Sequence, residues 1–266
     1  MEDIVLESSG RRNPFSFDLS YRNDALAKMG VQLPPARSTG TTIVGLLFNE
    51  GVLIGADSRA TSGSIVGDKF CLKLHYLTKS IYACGAGTAA DLEQTADMLS
   101  SNLRLMELNT GRKARGIAAL RIAKQHLFKY MGYVGAYLII AGVDFFGPFI
   151  YSVHAHGSSY KDPYMADGSG SLAALGVLEP NFKMKMPLEE ALDLLKRALM
   201  AGMEADLNSG NSYTYAIIRK DGFEMKQFNI PPFCARIPKQ LQYHCPPKAT
   251  RVLKEKKYEI MNTVTL

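Results

Sequence analysis

Several absences narrow the field before any motif is considered. No run of 18 apolar residues occurs in the 266 residues, so no membrane-spanning helix is expected. The first 30 residues mix acidic and basic side chains without an apolar stretch, which is not the pattern of a secretory signal. Cys71, Cys84, Cys234 and Cys245 show no CxxC pairing; metal and disulfide frameworks are disfavoured, and a reducing compartment is the simpler expectation. No internal repeat of solenoid period is present. His154 and His156 alternate without a nearby acidic third ligand, which argues against a metal-dependent hydrolase. The body of the chain also lacks excess charge. Of the net +6, residues 1–40 contribute nothing, residues 41–228 carry +1 and residues 229–266 carry +5. A nucleic-acid groove would put its charge on the folded body, so no nucleic acid is expected as a partner.

What is there suits a folded domain. With 47% hydrophobic and 21% charged residues, the chain can bury a full core and is not a disordered polymer. It falls into three parts. Residues 1–40 hold loop signals at Gly10–Pro14, extended-linker signals at Pro34–Gly40, and no apolar stripe of useful length. From 41 the pattern is dense. Thr42–Phe48 and Val52–Asp57 predict a hairpin through Asn49-Glu50-Gly51, and Phe70–Tyr76 with Ile81–Gly85 a second pair. Thr88 and Asp91 open a helix that ends at Gly111, with Thr88 as a side-chain cap. A second helix is expected over 114–131, then strands at Ala136–Asp144 and Phe149–His156. A short helix follows at 171–178, and another over 187–205 with Pro187 in its first position. Tyr213–Arg219 and Phe223–Phe228 flank a last hairpin turn. This order of strands, helix pair, strands, helix pair, strands predicts antiparallel sheets covered by helices, an α+β class. Residues 229–266 hold five of the twelve prolines and the apolar anchors Val252, Leu253, Tyr258 and Ile260. They read either as a floppy basic tail or as an arm that wraps a neighbouring subunit, and the apolar anchors, which a solvated tail would not need, favour the arm.

The informative junction is Arg37-Ser38-Thr39-Gly40-Thr41-Thr42. A cut between Gly40 and Thr41 would give Thr41 both a hydroxyl nucleophile and a free α-amine, whose ordinary pKa is about 7.7–8. Such an amine is a base of suitable strength for a hydroxyl that is a poor nucleophile alone. Gly40 suits a bond that must adopt a tight, strained backbone to be attacked from within. Residues 1–40 would then be a removable prosegment. Asp57 and Lys73, at strand ends, can form a charge pair beside the hydroxyl. Gly85-Ala86-Gly87, just before a helix, offers backbone amides for an oxyanion. Gly168-Ser169-Gly170-Ser171 precedes another helix. In Asp206-Leu-Asn-Ser209-Gly210 the plain structural expectation is a helix C-cap at Gly210.

Taken together, Thr41–Gly45, Gly55–Thr61, Cys84–Asp91, Gly168–Ser171 and Asp206–Gly210 resemble a β-type subunit of the eukaryotic 20S proteasome, over about 41–228 and into the tail. The likeness is greatest to the catalytic class with trypsin-like activity, the β type-7 class. The resemblance implies the four-layer αββα sandwich of the N-terminal-nucleophile hydrolases, with two antiparallel sheets between helix layers. It implies Thr41 as nucleophile, Asp57 and Lys73 as its charge pair, and Ser169, Asp206 and Ser209 as the groups that position the freed amine. Gly87 would donate its amide to the oxyanion. Thr61 and Ala89 would pair with an extended substrate through their backbones. Ala60, Cys71, His75, Gly85, Ala89 and Glu93 would line the pocket for the residue before the cut. Gly85 would keep that pocket deep, His75 would shape it, and Glu93 would supply a carboxylate suited to Arg or Lys. It further implies autocatalytic removal of the prosegment, α and β subunits of a stacked-ring hetero-oligomer as partners, a part in ubiquitin-dependent degradation, and residence in cytoplasm and nucleus. No cofactor is implied. The competing expectation is a non-catalytic ring subunit whose first 40 residues stay attached.

Overall fold

The computed structural model describes residues 25–30, 39–235 and 255–256. The expected prosegment therefore lies outside the described residues apart from 25–30, Thr39 and Gly40. The expected C-terminal arm lies outside them beyond residue 235, apart from 255–256. The elements below belong to the compact unit that ends at Cys234.

Strands β1 (Ile43–Phe48) and β2 (Gly51–Asp57) lead into a short exposed hairpin, β3 (Ala60–Ser62) and β4 (Ile65–Asp68), then β5 (Leu74–Thr78) and β6 (Ile81–Gly87). Helices α1 (Ala89–Thr110) and α2 (Gly116–Lys129) follow, and after them β7 (Ala136–Asp144), β8 (Gly147–Val153), β9 (Ser159–Tyr160) and β10 (Tyr164–Asp167). Helices α3 (Ser171–Asn181) and α4 (Leu188–Ala205) precede the final hairpin, β11 (Tyr213–Arg219) and β12 (Gly222–Asn229). One sheet has the order β10-β1-β2-β11-β12 and the other β5-β6-β7-β8-β9. Every strand pairing is antiparallel.

Strand alternation builds the layers. In β1, Val44, Leu46 and Phe48 face α3 and α4, while Ile43 faces the other sheet. In β6, Ile81 and Ala83 face α1 and α2, while Tyr82, Cys84 and Ala86 face the first sheet. β7 repeats this with Leu138 and Ile140 on one side and Ile139, Ala141 and Val143 on the other. A period of two thus sends apolar side chains into three cores, one between the sheets and one under each helix pair. This is the expected four-layer sandwich. Each fully buried Leu or Ile in it contributes about 1.5–3 kcal/mol.

Local expectations need adjustment at several ends. The β3–β4 hairpin and β9 and β10 carry no sequence signal strong enough to anticipate. The second expected pair starts at Leu74, not Phe70, because residues 70–73 form no ladder. Thr88 occupies the N-cap of α1, yet its side chain makes no cap hydrogen bond. Its backbone N–H binds Gly135 O (2.9 Å), and Asp91 Oδ2 accepts the Gly135 N–H (2.8 Å), so this helix end is tied to the start of β7. α2 ends at Lys129, and Ile117 and Met131 are exposed, since its buried face is Gly116, Ala119, Leu120, Ala123 and Leu127. β8 ends at Val153, before His154. Pro187 caps α4 from outside the helix. The C-cap of that helix is Asp206, which leaves Gly210 free for another contact.

Candidate active site

Five segments meet at one end of the stacked sheets: residues 39–42 entering β1, Asp57 closing β2, Lys73 before β5, the 168–170 turn between β10 and α3, and the 206–210 loop between α4 and β11. Antiparallel pairing explains the first contact. β1 and β2 run in register, so Thr42 falls opposite Asp57; Thr42 N donates to Asp57 Oδ1 (2.9 Å) and Asp57 N donates to Thr42 O (3.0 Å).

Thr41 is 1% exposed and its hydroxyl sits among charges. Lys73 Nζ donates to Thr41 Oγ1 (2.9 Å), Gly40 O (2.9 Å) and Asp57 Oδ1 (2.8 Å). Thr41 Oγ1 donates to Gly40 O at 2.7 Å. Asp57 also accepts the N–H groups of Gly210 and Arg59 on Oδ2, each at 3.2 Å. Burial pushes the Asp57 carboxyl above its ordinary value, while the Lys73 charge and the N–H groups of Thr42 and Gly210 pull it back. A buried ion pair is tolerable only when its spare lone pairs and protons are bound, and here they are.

A second acidic network lies on the other side of Thr41. Thr41 N donates to Ser169 Oγ (3.0 Å), and Ser169 and Ser209 both donate to Asp206 Oδ2, at 2.5 Å and 2.7 Å. Burial alone would raise the Asp206 carboxyl. The hydroxyls of Ser169 and Ser209, the Asn208 N–H and the Lys73 charge outweigh it and hold the carboxyl below its ordinary value. Asp206 therefore stays an acceptor throughout the physiological range.

The junction before Thr41 lies in a tight slot. Gly40 N donates to Thr61 Oγ1 (3.2 Å); Thr39 pairs with Gly87, whose carbonyl accepts the Thr39 N–H (3.0 Å) and hydroxyl (3.1 Å). Gly40 does not take a positive φ, contrary to the expectation of a strained glycine. Space is what demands glycine there, because a Cβ would fall 1.9 Å from Asn208 Cβ. Gly168 is different. Its φ is +94° and a Cβ would lie 2.2 Å from Thr41 O, so the turn that brings Ser169 to Thr41 needs glycine on both counts.

Ala60 begins β3, Ala89 begins α1 in an exposed position, and His75 and Cys71 are half-buried around Lys73. Glu93 is exposed on α1 and acts electrostatically on both Cys71 and His75. Burial holds His75 below its ordinary pKa, against the opposing pull of Glu93 and Asp97, so the ring is neutral at neutral pH. Burial likewise pushes the Cys71 thiol up. The space beside Gly85 is occupied: a Cβ there would fall 2.6 Å from Leu92 Cδ2, so any depth at that point depends on the Leu92 side chain. Sequence reasoning missed Asp97, although its spacing of four from Glu93 puts both on one helix face. It also missed Thr42 and Arg59. The Arg59 guanidinium holds the 206–210 loop through Leu207 O (2.8 Å) and the following Asn211 Oδ1 (2.8 Å). Among the described residues no group of three or more His, Cys, Asp or Glu could hold a metal ion.

Comparison with known proteins gives the family. The proteasome subunit family matches residues 37–218. The chain is 46% identical to proteasome subunit beta type-10 of Bos taurus over 257 residues, 96% of this chain and 93% of that protein. It is 48% identical to proteasome subunit beta type-7-A of Arabidopsis thaliana over 218 residues, covering 82% and 80%. With proteasome subunit beta type-2 of Saccharomyces cerevisiae the identity is 47% over 242 residues, covering 90% and 92%.

Proposed function

The chain belongs to the proteasome subunit family, as a β subunit and threonine peptidase of the 20S core, and from that premise we propose that Thr41 is its nucleophile. Proteasome subunits assemble as stacked rings of α and β subunits, so its working form is a hetero-oligomer. The observation that carries the proposal is the position of Lys73 Nζ, 2.9 Å from both Thr41 Oγ1 and Gly40 O and 2.8 Å from Asp57.

Two rounds of the same chemistry follow. In the uncut chain Thr41 Oγ1 attacks the Gly40 carbonyl carbon. The O–C bond forms, the C–N bond breaks, and Thr41 N takes up the proton. Lys73, bonded to the Gly40 oxygen, stabilises the charge that develops there. Water then cleaves the ester, leaving a carboxylate on Gly40 and a free amine on Thr41. In the mature chain that amine accepts the Oγ1 proton as the hydroxyl attacks a substrate carbonyl, with the Gly87 amide as oxyanion donor; the substrate C–N bond then breaks as that proton passes to the leaving amine, and water, deprotonated by the same Thr41 amine, cleaves the ester and restores the hydroxyl. The freed amine stays beside Ser169 and Asp206, which keep it oriented. An extended substrate takes the slot that residues 39 and 40 fill before cutting, beside Thr61 and Gly87. The test is covalent labelling of the assembled particle with a peptide vinyl sulfone, followed by intact-mass measurement. The expected product begins at Thr41 and carries one label. A labelled chain that still includes Gly40 shows that the nucleophile is not a Thr41 freed by cleavage, and an unlabelled uncut chain removes the proposal in favour of an inactive ring subunit.

We further propose cleavage after basic residues, in the turnover of ubiquitin-tagged proteins. Support comes from Glu93 and Asp97, two carboxylates on the α1 face beside His75, whose neutral ring leaves their charge uncancelled. Glu93→Gln should weaken the cleavage of Arg and Lys substrates by about fivefold, roughly 1 kcal/mol for an exposed charge-assisted bond. Apolar substrates should be unaffected. Measured kcat/KM values that fall equally for both classes would show that Glu93 does not face the substrate.

A further inference from the structure

Thr42 follows the nucleophile and is fully buried. Its hydroxyl donates to Ser209 Oγ at 2.9 Å. Ser209 and Ser169 each have one proton, and both donate it to the same oxygen, Asp206 Oδ2. Each serine oxygen then accepts from the other side: Ser169 from the backbone N of Thr41, Ser209 from the side chain of Thr42. Consecutive residues thus grip one carboxylate by two routes. The Thr42 backbone meanwhile holds Asp57 through its N–H and C=O. Thr42 therefore joins the Lys73–Asp57 pair to the Asp206 network.

The neighbourhood is shaped around this side chain. A Cβ on Gly170 would fall 2.0 Å from Thr42 Oγ1, and one on Gly202 2.4 Å from Thr42 Cγ2. Gly170 lies in the turn that carries Ser169, and Gly202 in the last turns of α4, just before Asp206. Two backbones approach closely because the side chain between them is small. Valine would fill the same volume. What valine cannot do is fix the Ser209 hydroxyl, which would keep its bond to Asp206 but lose the donor that sets its rotation.

We infer that the Thr42 hydroxyl is a positioning group for the peptidase reaction, acting through Ser209 on the Asp206 carboxylate that orients the Thr41 amine. The inference rests on Thr41 being the nucleophile.

The experiment compares Thr42→Val, Thr42→Ser and Thr41→Ala in assembled particles, labelled with the same vinyl sulfone. It reads the limiting labelling rate of this chain and the half-saturating concentration. Thr42→Val should assemble, begin at Thr41 and keep its half-saturating concentration, while its limiting rate falls 3- to 10-fold. Thr42→Ser should stay within twofold of the parent. A packing role predicts the reverse order, because valine preserves the threonine methyl that serine lacks. An unchanged rate in Thr42→Val, or a loss in Thr42→Ser as large as in Thr42→Val, overturns the inference. If valine blocks assembly, Thr42→Ala replaces it against Thr42→Ser, and equal rates overturn the inference in the same way. Thr41→Ala separates the two levels. If that variant is still cut and labelled, the choice of nucleophile is wrong; if it is inert, the Thr42 comparison judges Thr42 alone.

Discussion

Particles carrying Thr41→Ala should contain this chain uncut between Gly40 and Thr41, with no turnover at this subunit. The substitution removes the γ-methyl and the hydroxyl, which donates to Gly40 O at 2.7 Å and accepts from Lys73 at 2.9 Å. Lys73 keeps its bonds to Gly40 O and Asp57, and Thr41 N keeps Ser169, so the fold loses about 1–3 kcal/mol. The chemistry loses its only attacking atom in both rounds. A drop of about 10³-fold or more is therefore expected, far more than that change in stability would produce. Thr41→Ser, which keeps the oxygen, should still be cut and should still turn over. Intact mass and peptide hydrolysis are the two readouts. A Thr41→Ala chain that begins at residue 41 would show that cleavage at the junction does not use that side chain.

The layers were legible because β1, β2, β6, β7 and β11 are apolar, β-rich runs bounded by turn signals, buried along nearly their whole length, and α4 has a clear apolar face. The hairpin of β3 and β4 was not, because β4 is exposed along its whole length and neither short strand presents a sustained apolar face. Thr88 looked like a side-chain cap from local sequence, but its hydroxyl makes no cap bond, and the helix start is held instead by Gly135, distant in the chain, through the Thr88 N–H and the Asp91 carboxylate. Gly210 looked like a helix terminator and instead gives its N–H to Asp57, 153 residues away in sequence. The individual site residues were readable as types at familiar spacings. What joins them was not. Thr42 meets Ser209 across 167 residues, and nothing within either segment reports that the two hydroxyls touch. Asp97 is the opposite case, since its spacing from Glu93 was visible and only its significance was overlooked.

Removing Lys73 should harm both stability and chemistry, and the two effects can be separated. Lys73→Met leaves the Asp57 carboxylate buried with its backbone N–H donors but without its cation. Breaking such a pair from one side costs about 3–5 kcal/mol. Without the Lys73 charge the Asp57 carboxyl rises further, because burial then acts with less opposition. Adding Asp57→Asn to Lys73→Met removes the stranded charge; the amide oxygen can still accept from Thr42 N–H, but the amide NH2 cannot accept from Gly210 and Arg59. The double variant should recover part of the lost stability, giving a coupling of about 2 kcal/mol or more in a double-mutant cycle. It should not recover activity. The neutral pair offers nothing to polarise Gly40 O or to hold the Thr41 hydroxyl among charges, so both cleavage at the junction and turnover should stay at least about 10²-fold below the parent. A chain supplied already beginning at Thr41 isolates the second round. If Lys73→Met is then fully active, Lys73 serves only the removal of residues 1–40, and its place in the peptidase step falls. If the cycle shows no coupling, the Asp57 site does not depend on the ion pair.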